Sequence, residues 1–187
     1  VKMTSFVMQQ LNVDFKEANF LRDYYWKKYG TTLAGMMREH DIDPLPYLID
    51  VHDISLSSLD VDLRLVKAIK NLSGEKIVYT NGSKFHANRV LKARGLTECF
   101  HKIFGVEDAD YLPKPEKKAY QKIIELSGIN PQYSAMFEDE YKNLDVPHDL
   151  EMRTVYLTEK NYIDERHFVT DNLTEFLSKL TNNKNGN

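Results

Sequence analysis

From about residue 60 onward, short apolar runs of strand length alternate with segments of helical periodicity, and this alternation constrains the fold most strongly. The clearest runs are 76–79, 103–105, 135–137 and 154–157, with a shorter one near 168–169. Strands separated by helices pair in parallel, because each helical crossover returns the chain to the same end of the sheet. The pattern predicts an α/β protein with a three-layer core around a parallel sheet.

The first third of the chain has a different pattern, with apolar residues at helical spacing and no strand-like run. Asp14 is a good N-cap for a first helix, Gly30 is a plausible stop, and Pro44 interrupts a following helix. We therefore predict a small helical cap domain over residues 1–59 and the α/β core over residues 60–187.

Polar residues follow two of the predicted strands directly. Thr80–Gly82 comes after the run 77–79, and Glu138 and Asp139 come after the run 135–137. In open parallel sheets, ligands bind beyond the carboxyl ends of the strands. The layout therefore predicts that these two segments lie near each other at one edge of the sheet.

The first of these segments is suited to an anion. The Thr80 hydroxyl and the backbone amides of Asn81 and Gly82 precede a predicted helix, whose N-terminus favours negative charge. Lys114, with Pro115 after it, is predicted to open another helix, where a cation is unfavourable unless an anion lies nearby. Taken alone, the first segment could be only a polar turn and the lysine only a solvated side chain.

The second segment is suited to a metal. Adjacent carboxylates such as Glu138 and Asp139 at a strand end match the preference of Mg²⁺ for one or two carboxylates plus water and phosphate oxygens. Asp139 could alternatively cap a helix.

In combination, these segments resemble the second, third and fourth motifs of the haloacid dehalogenase (HAD) superfamily, in the order in which that superfamily carries them. The similarity extends from about Met3 to Leu180 and is greatest to the pyrimidine 5'-nucleotidase branch. The stretches that carry it are Tyr79–Ser83, His86-Ala87, Val90-Leu91, Gly95-Leu96, Lys114-Pro115 with Tyr120, Phe137–Asp139, Asn143-Leu144, Tyr29–Leu33 and Val51–Asp53.

The resemblance implies a HAD-like Rossmannoid core, a Mg²⁺ cofactor and hydrolysis of a phosphomonoester through an aspartyl-phosphate. By position, Asp139 would bind the metal with Glu138 assisting, and Thr80 with the amides after it would hold the phosphoryl group. Lys114 would stabilise charge on the nucleophile and the phosphate, and Asn143 would serve as a supporting hydrogen-bonding residue.

The first motif of the superfamily, an apolar strand running into Asp-x-Asp-x-Thr, should precede Met3 and is not found in this sequence. The pairs Asp60/Asp62, Asp41/Asp43 and Asp50/Asp53 are better interpreted as helix caps or turns. We therefore predict that the central strand is missing, that two strand edges face a gap, and that this chain, as a truncated copy, is inactive alone.

The resemblance implies pyrimidine nucleoside monophosphates such as UMP and CMP as substrates, with another small phosphate ester left open. The aromatic residues Tyr24, Tyr25, Trp26 and Tyr29 could stack on a base, although such a run at helical spacing is more often core. Two other interpretations stay open: a non-catalytic module that binds phosphate, nucleotide or a partner, and an unrelated α/β domain whose motifs arise by chance.

The charge and composition of the chain argue against some classes of protein, such as nucleic-acid-binding and membrane-spanning proteins. The net charge is -3 with both signs mixed, so no basic block indicates nucleic-acid binding. No apolar stretch approaches the about 20 residues that a membrane span needs. Cys99 is the only cysteine, which predicts a reducing cytoplasmic location, and the oligomeric state cannot be read from the sequence. His40, His52 and His86 lack metal-site spacing and are predicted to be structural.

Overall fold

The computed structural model describes residues 2–159 and 163–182. Helices occupy the first third and then alternate with strands. In chain order the helices are α1 (Lys2–Leu11), α2 (Phe15–Tyr29), α3 (Thr32–His40), α4 (Pro44–His52), α5 (Leu63–Asn71), α6 (Lys84–Ala93), α7 (Lys117–Ser127), α8 (Asp145–Asp149) and α9 (Leu173–Asn182).

The strands pair in parallel, as predicted. β1 (Ile77–Tyr79) pairs with β2 (Lys102–Phe104). A second parallel sheet has the order β3-β4-β5, formed by β3 (Ala135–Glu138), β4 (Arg153–Leu157) and β5 (Phe168–Thr170). Among the described strands, no ladder joins β1 to β3, so the two sheets stay separate.

Alternate side chains of the strands enter opposite apolar layers, as the period of two in a strand requires. Val78 and Phe137 pack into a cluster that contains residues of α5, α6 and α9. Ile77, Tyr79 and Phe104 pack on the other side, against residues of α7. Helices therefore cover both faces of the strands, and the predicted three-layer α/β fold with a parallel sheet is confirmed.

Side-chain caps fix the starts of α2, α3, α4 and α5. Asp14, Thr31, Asp43 and Asp62 each accept a hydrogen bond from a backbone amide in the first turn of the helix that follows. Such a cap typically contributes about 1 kcal/mol. Asp43 and Asp62 belong to two of the aspartate pairs that the sequence analysis interprets as caps or turns and not as the first motif, and both are caps, as predicted.

The first four helices share one apolar core, which includes Phe6, Tyr25, Met36 and Leu48. Val106, which follows β2, belongs to the same cluster. The helical region therefore packs directly on the α/β part, and the domain boundary at residue 59 stays a prediction.

The helix that follows Lys114 begins later than predicted. α7 starts at Lys117, and Lys114 lies in a turn before it. The physical reason is that the Asn81 side chain occupies both backbone groups of Lys114: the Lys114 amide donates to Asn81 Oδ1 at 2.7 Å, and Asn81 Nδ2 donates to the Lys114 carbonyl at 3.1 Å. The expectation that Lys114 opens a helix, with the dipole argument built on it, was therefore wrong.

Of the helices within residues 2–159 and 163–182, none combines the length and the apolar character needed to cross a bilayer. The cytoplasmic location stays a prediction.

Candidate functional site

A cleft of about 490 Å³ lies between the first four helices and the segments that follow β1 and β3. This is the position at which parallel sheets usually bind ligands. Its volume lies within the range typical of small-molecule sites. The residues that line it are Met3, Arg22, Asp23, Trp26, Gly30–Leu33, Tyr47, Leu48, Val51, His52, Asn81, Gly82, Glu140, Lys142 and Asn143.

The segment after β1 forms a tight turn at the floor of this cleft. The Thr80 amide donates to the Phe104 carbonyl at 3.0 Å, which continues the β1–β2 pairing. The Gly82 amide donates to Thr80 Oγ1 at 3.0 Å. This hydroxyl oxygen is thus an acceptor within the turn, and its O–H remains a donor for a bound group. Ser83 then caps α6, whose N-terminus favours an anion in the same place.

Lys114 is drawn to this turn by a buried ion pair. Lys114 Nζ lies 2.6 Å from Glu138 Oε2, and the two side chains are only 7% and 8% exposed. The same ammonium donates to the Tyr79 carbonyl at 3.3 Å. Burial raises the pKa of the Tyr79 hydroxyl, and the Glu138 charge raises it further. Lys114 therefore connects the carboxyl end of β1 to the carboxyl end of β3.

Asn143 completes the surroundings of the Glu138 carboxylate. Asn143 Nδ2 donates to Glu138 Oε1 at 3.0 Å, and the Glu140 amide approaches the same oxygen at 3.4 Å. The Tyr120 hydroxyl donates to the Asn143 carbonyl at 2.6 Å and so fixes the turn from α7. Asn143 Oδ1 is buried and has no hydrogen-bond partner in the described chain. The supporting role predicted for Asn143 agrees with these contacts but stays a prediction.

Glu138 and Asp139 occupy different environments. Glu138 is buried beneath the cleft, whereas Asp139 follows β3 and is exposed. Within the described residues, Asp139 has neither a hydrogen bond nor an ion pair, and it does not line the cleft. The structure thus brings Thr80, Lys114 and Glu138 together, and the metal role of Asp139 stays a prediction.

The oxygen atoms at the carboxyl end of β3 are of the kinds that bind Mg²⁺ in proteins. The Glu138 carboxylate and the unpartnered Asn143 Oδ1 lie side by side, and Asp139 is the next residue along the chain. Two carboxylates and an amide oxygen, supplemented by water, fit this ion. In the described part of the chain, no group of three or more His, Cys, Asp or Glu side chains forms a metal cluster. The protein alone therefore supplies only part of a coordination shell.

His52, predicted to be structural, lies at the cleft. It ends α4 and stacks on His86 of α6, with the ring centroids 4.2 Å apart and the planes 6° from parallel. A Cβ added to Gly82 would lie 3.3 Å from His52 Nε2 and 3.4 Å from Thr80 Oγ1. Burial, together with the charges of His86 and Arg89, lowers the pKa of His52 from 6.5 to about 4. The imidazole is thus neutral at pH 7 and faces the turn.

Arg22 and Lys142 are cleft residues that the sequence analysis missed, whereas Trp26 was among the aromatic residues considered for stacking. Arg22 and Trp26 line the wall contributed by α2, and Lys142 lies over the Trp26 ring at 4.0 Å from its centroid. The spacing of Arg22 and Trp26 places them one turn apart on one helix face, which was the available signal. Of the four aromatic residues considered for stacking, Trp26 lines the cleft and Tyr25 is core.

Comparison with known proteins places this geometry in context. A family model for haloacid dehalogenase-like hydrolases matches residues 8–147. Phosphate metabolism protein 8 from Saccharomyces cerevisiae is 26% identical over 153 residues, which are 74% of this chain and 48% of that protein. The chain therefore spans about half the length of this curated relative.

Solved structures of low sequence identity share the fold. A HAD phosphatase from Thermococcus onnurineus superimposes with a TM-score of 0.61 at 15% identity, covering 95% of this chain and 86% of that one. The HAD-hydrolase YfnB from Bacillus subtilis, solved bound to magnesium, gives a TM-score of 0.60 at 14% identity, covering 97% and 90%. At these identities the similarity concerns the fold alone.

Proposed function

The chain belongs to the haloacid dehalogenase-like hydrolase family, and we propose that its cleft is the phosphate site of a phosphomonoesterase. The observation that carries this proposal is the buried Lys114–Glu138 pair, positioned beneath the Thr80–Gly82 turn at the carboxyl ends of two strands. A buried ammonium beside a turn of backbone amides is a suitable receptor for a phosphoryl group.

The turn after β1 binds the phosphoryl oxygens in this proposal. The Thr80 O–H and the Asn81 amide donate to these oxygens, while the Gly82 amide, which donates to Thr80 Oγ1, holds the hydroxyl in place. Asn81 also holds the Lys114 backbone through its side chain, so the ammonium is fixed relative to the turn. This prior fixation matters because positioned charges stabilise a transition state without reorganisation.

The metal would lie at the carboxyl end of β3. Glu138, Asp139 and Asn143 would hold Mg²⁺ through oxygen atoms, with Asp139 turning inward from the surface. When bound, the ion neutralises charge on the phosphoryl oxygens. The family resemblance supports this assignment, and the unpartnered Asn143 Oδ1 is the feature of the chain that favours it.

We propose that this chain alone does not complete the reaction. The aspartyl-phosphate route needs a free aspartate that attacks phosphorus and a second one that transfers the proton. Within residues 2–159 and 163–182, no Asp-x-Asp pair directly follows a strand. Asp108 and Asp110 lie in the turn beyond β2, where Asp108 accepts from the Gly105 amide and Asp110 pairs with Lys122. Glu138 is engaged by Lys114 and Asn143, so it is a poor substitute nucleophile.

Pyrimidine nucleoside 5'-monophosphates are the proposed ligands, with other small phosphate esters as the wider class. The cleft volume of about 490 Å³ accommodates a mononucleotide. Trp26, which is exposed and lines the cleft, provides a ring surface for the base. The resemblance to the pyrimidine 5'-nucleotidase branch supports this choice of base.

The experiment measures turnover and binding on the same purified chain. With UMP and Mg²⁺, released phosphate should stay at background, whereas calorimetric titration with UMP should show saturable binding that Lys114→Met abolishes. Lys117→Met, which changes an exposed lysine at the start of α7, is the matched control and should bind normally. Robust turnover that Asp139→Ala abolishes would contradict the proposed inactivity and indicate a substitute nucleophile.

A second candidate function is a non-catalytic module that binds phosphate or nucleotide. The interruption between the two sheets and the engaged state of Glu138 favour it. An added peptide distinguishes the two candidates. The peptide has an apolar strand followed by Asp-x-Asp-x-Thr, and phosphate release from UMP is measured in its presence. Phosphate release in the presence of this peptide supports an enzyme that lacks one strand, and unchanged background supports a binding module.

A further inference from the structure

The guanidinium of Arg22 is an unusual feature of the cleft, because it donates only to uncharged side chains and one of its N–H groups has no acceptor in the described part of the chain. One terminal nitrogen donates to Thr4 Oγ1 at 2.6 Å and to Asn19 Oδ1 at 3.2 Å. The Nε atom is buried and has no hydrogen-bond partner among the described residues. No carboxylate lies within ion-pair distance of this side chain in the part of the chain that is described, and the adjacent Asp23 pairs with Lys27.

The unused donors matter because of where they lie. Arg22 lines the wall formed by α2, whereas the phosphate turn at Asn81 and Gly82 lines the floor. A guanidinium presents its N–H groups as a planar fork that matches a planar pair of acceptor atoms. A buried N–H without a partner is costly, so a small movement of the side chain that brings Nε to an acceptor on a ligand gains affinity.

The surrounding charge favours a neutral acceptor over a second anion. Arg22 and Lys142 contribute positive charge to the lining, and Asp23 and Glu140 contribute negative charge. The ammonium of Lys142 lies over the Trp26 ring. The wall is therefore balanced in charge and bears an aromatic surface, which suits a flat heterocycle with carbonyl oxygens.

We infer that Arg22 determines specificity by binding the carbonyl edge of the substrate's base on the cleft wall that α2 forms. This inference rests on the proposed function for the position of the phosphate. Arg22 touches the base and takes no part in the chemistry, so its loss should affect recognition of the base alone.

The test compares three ligands by calorimetric titration: UMP, ribose 5-phosphate, which lacks the base, and uridine, which lacks the phosphate. The wild-type chain should prefer UMP to ribose 5-phosphate by about tenfold or more, as expected for charge-assisted hydrogen bonds. Arg22→Gln should abolish most of this preference and leave the affinity for ribose 5-phosphate unchanged. Arg22→Lys should also lose most of the preference, because it keeps the charge without the fork.

Two further variants serve as a matched control and as a second test of the guanidinium's role. Arg64→Gln changes an exposed arginine of α5 that does not line the cleft, and it should retain the full preference for UMP. Asn19→Ala removes one anchor of the guanidinium and keeps its charge, so it should reduce the preference in part even if Arg22→Gln does not fold.

The outcomes separate this inference from the proposed function. An unchanged ratio of UMP to ribose 5-phosphate affinity in Arg22→Gln would overturn the inference, as would the absence of binding for all three ligands. Uridine binding that depends on Arg22, without any binding of ribose 5-phosphate, would support the inference and refute the phosphate site.

Discussion

The buried pair Lys114–Glu138 makes a quantitative prediction about stability. In Lys114→Met, the Glu138 carboxylate stays buried with Asn143 as its side-chain partner. Breaking a buried pair by removing one partner typically costs about 3–5 kcal/mol of the free energy of unfolding. This is a large share of the about 5–15 kcal/mol that holds a domain together.

The double variant Lys114→Met/Glu138→Gln should be much more stable than the single variant. The glutamine carbonyl still accepts from Asn143, and its amide group can donate to the Tyr79 carbonyl that Lys114 now contacts. Replacing both partners of a buried ion pair with uncharged residues of similar volume often leaves the free energy of unfolding nearly unchanged. We therefore expect the double variant to recover about 2–3 kcal/mol relative to the sum of the two single changes.

Urea unfolding followed by far-UV circular dichroism at pH 7 measures these free energies. The exposed pair Lys28–Glu39 is the control, with side chains 45% and 35% exposed and 3.0 Å between Nζ and Oε1. A double-mutant cycle on Lys28 and Glu39 should give a coupling free energy below about 1 kcal/mol. Additive costs at Lys114 and Glu138, with no recovery in the double variant, would refute the conclusion that the two charges stabilise each other in the folded protein.

Three further predictions test other parts of the structure. The pKa of His52 falls from 6.5 to about 4 on folding, so its contribution to stability is complete above pH 6.5 and is lost as the pH falls towards 4. Because the ring is only half buried, the loss is limited to about 1–2 kcal/mol. The melting temperature should therefore depend less on pH between pH 4 and 7 in His52→Gln than in the wild-type protein. Gly35→Ala places a methyl group against the ring of buried Tyr25 and should cost about 1–3 kcal/mol in urea unfolding, whereas an unchanged midpoint would contradict this packing. Asn81→Ala removes both hydrogen bonds to the Lys114 backbone, so it should weaken UMP binding and lower the melting temperature together. A change in only one of them would argue against the role of Asn81 in holding Lys114 in place.

Most of the fold follows from local sequence. The caps at Asp14, Thr31 and Asp62 could be predicted because a cap depends on residues only three positions apart. The strands could be predicted because their apolar runs are short and bounded by polar turns. The parallel pairing followed from the helices between them.

The details of the site depended on contacts between distant residues. Which of two adjacent carboxylates points inward is decided by Lys114, which is 24 positions before Glu138 in the chain. The start of α7 shifted because Asn81, 33 positions away, holds the Lys114 backbone. The only sequence signal for Arg22 was its position one turn before Trp26, since its role depends on a cleft wall that exists only after folding.

The most direct measurement of the central claim is a titration of the ¹⁵N-labelled protein with inorganic phosphate and Mg²⁺, followed by the chemical shifts of its backbone amides. We expect the amides of Asn81 and Gly82 to shift together with those of residues 139–143, with one saturation curve that Lys114→Met removes. Shifts confined to other surfaces, or none at Asn81 and Gly82 under saturating phosphate, would contradict a phosphate site at the junction of β1 and β3.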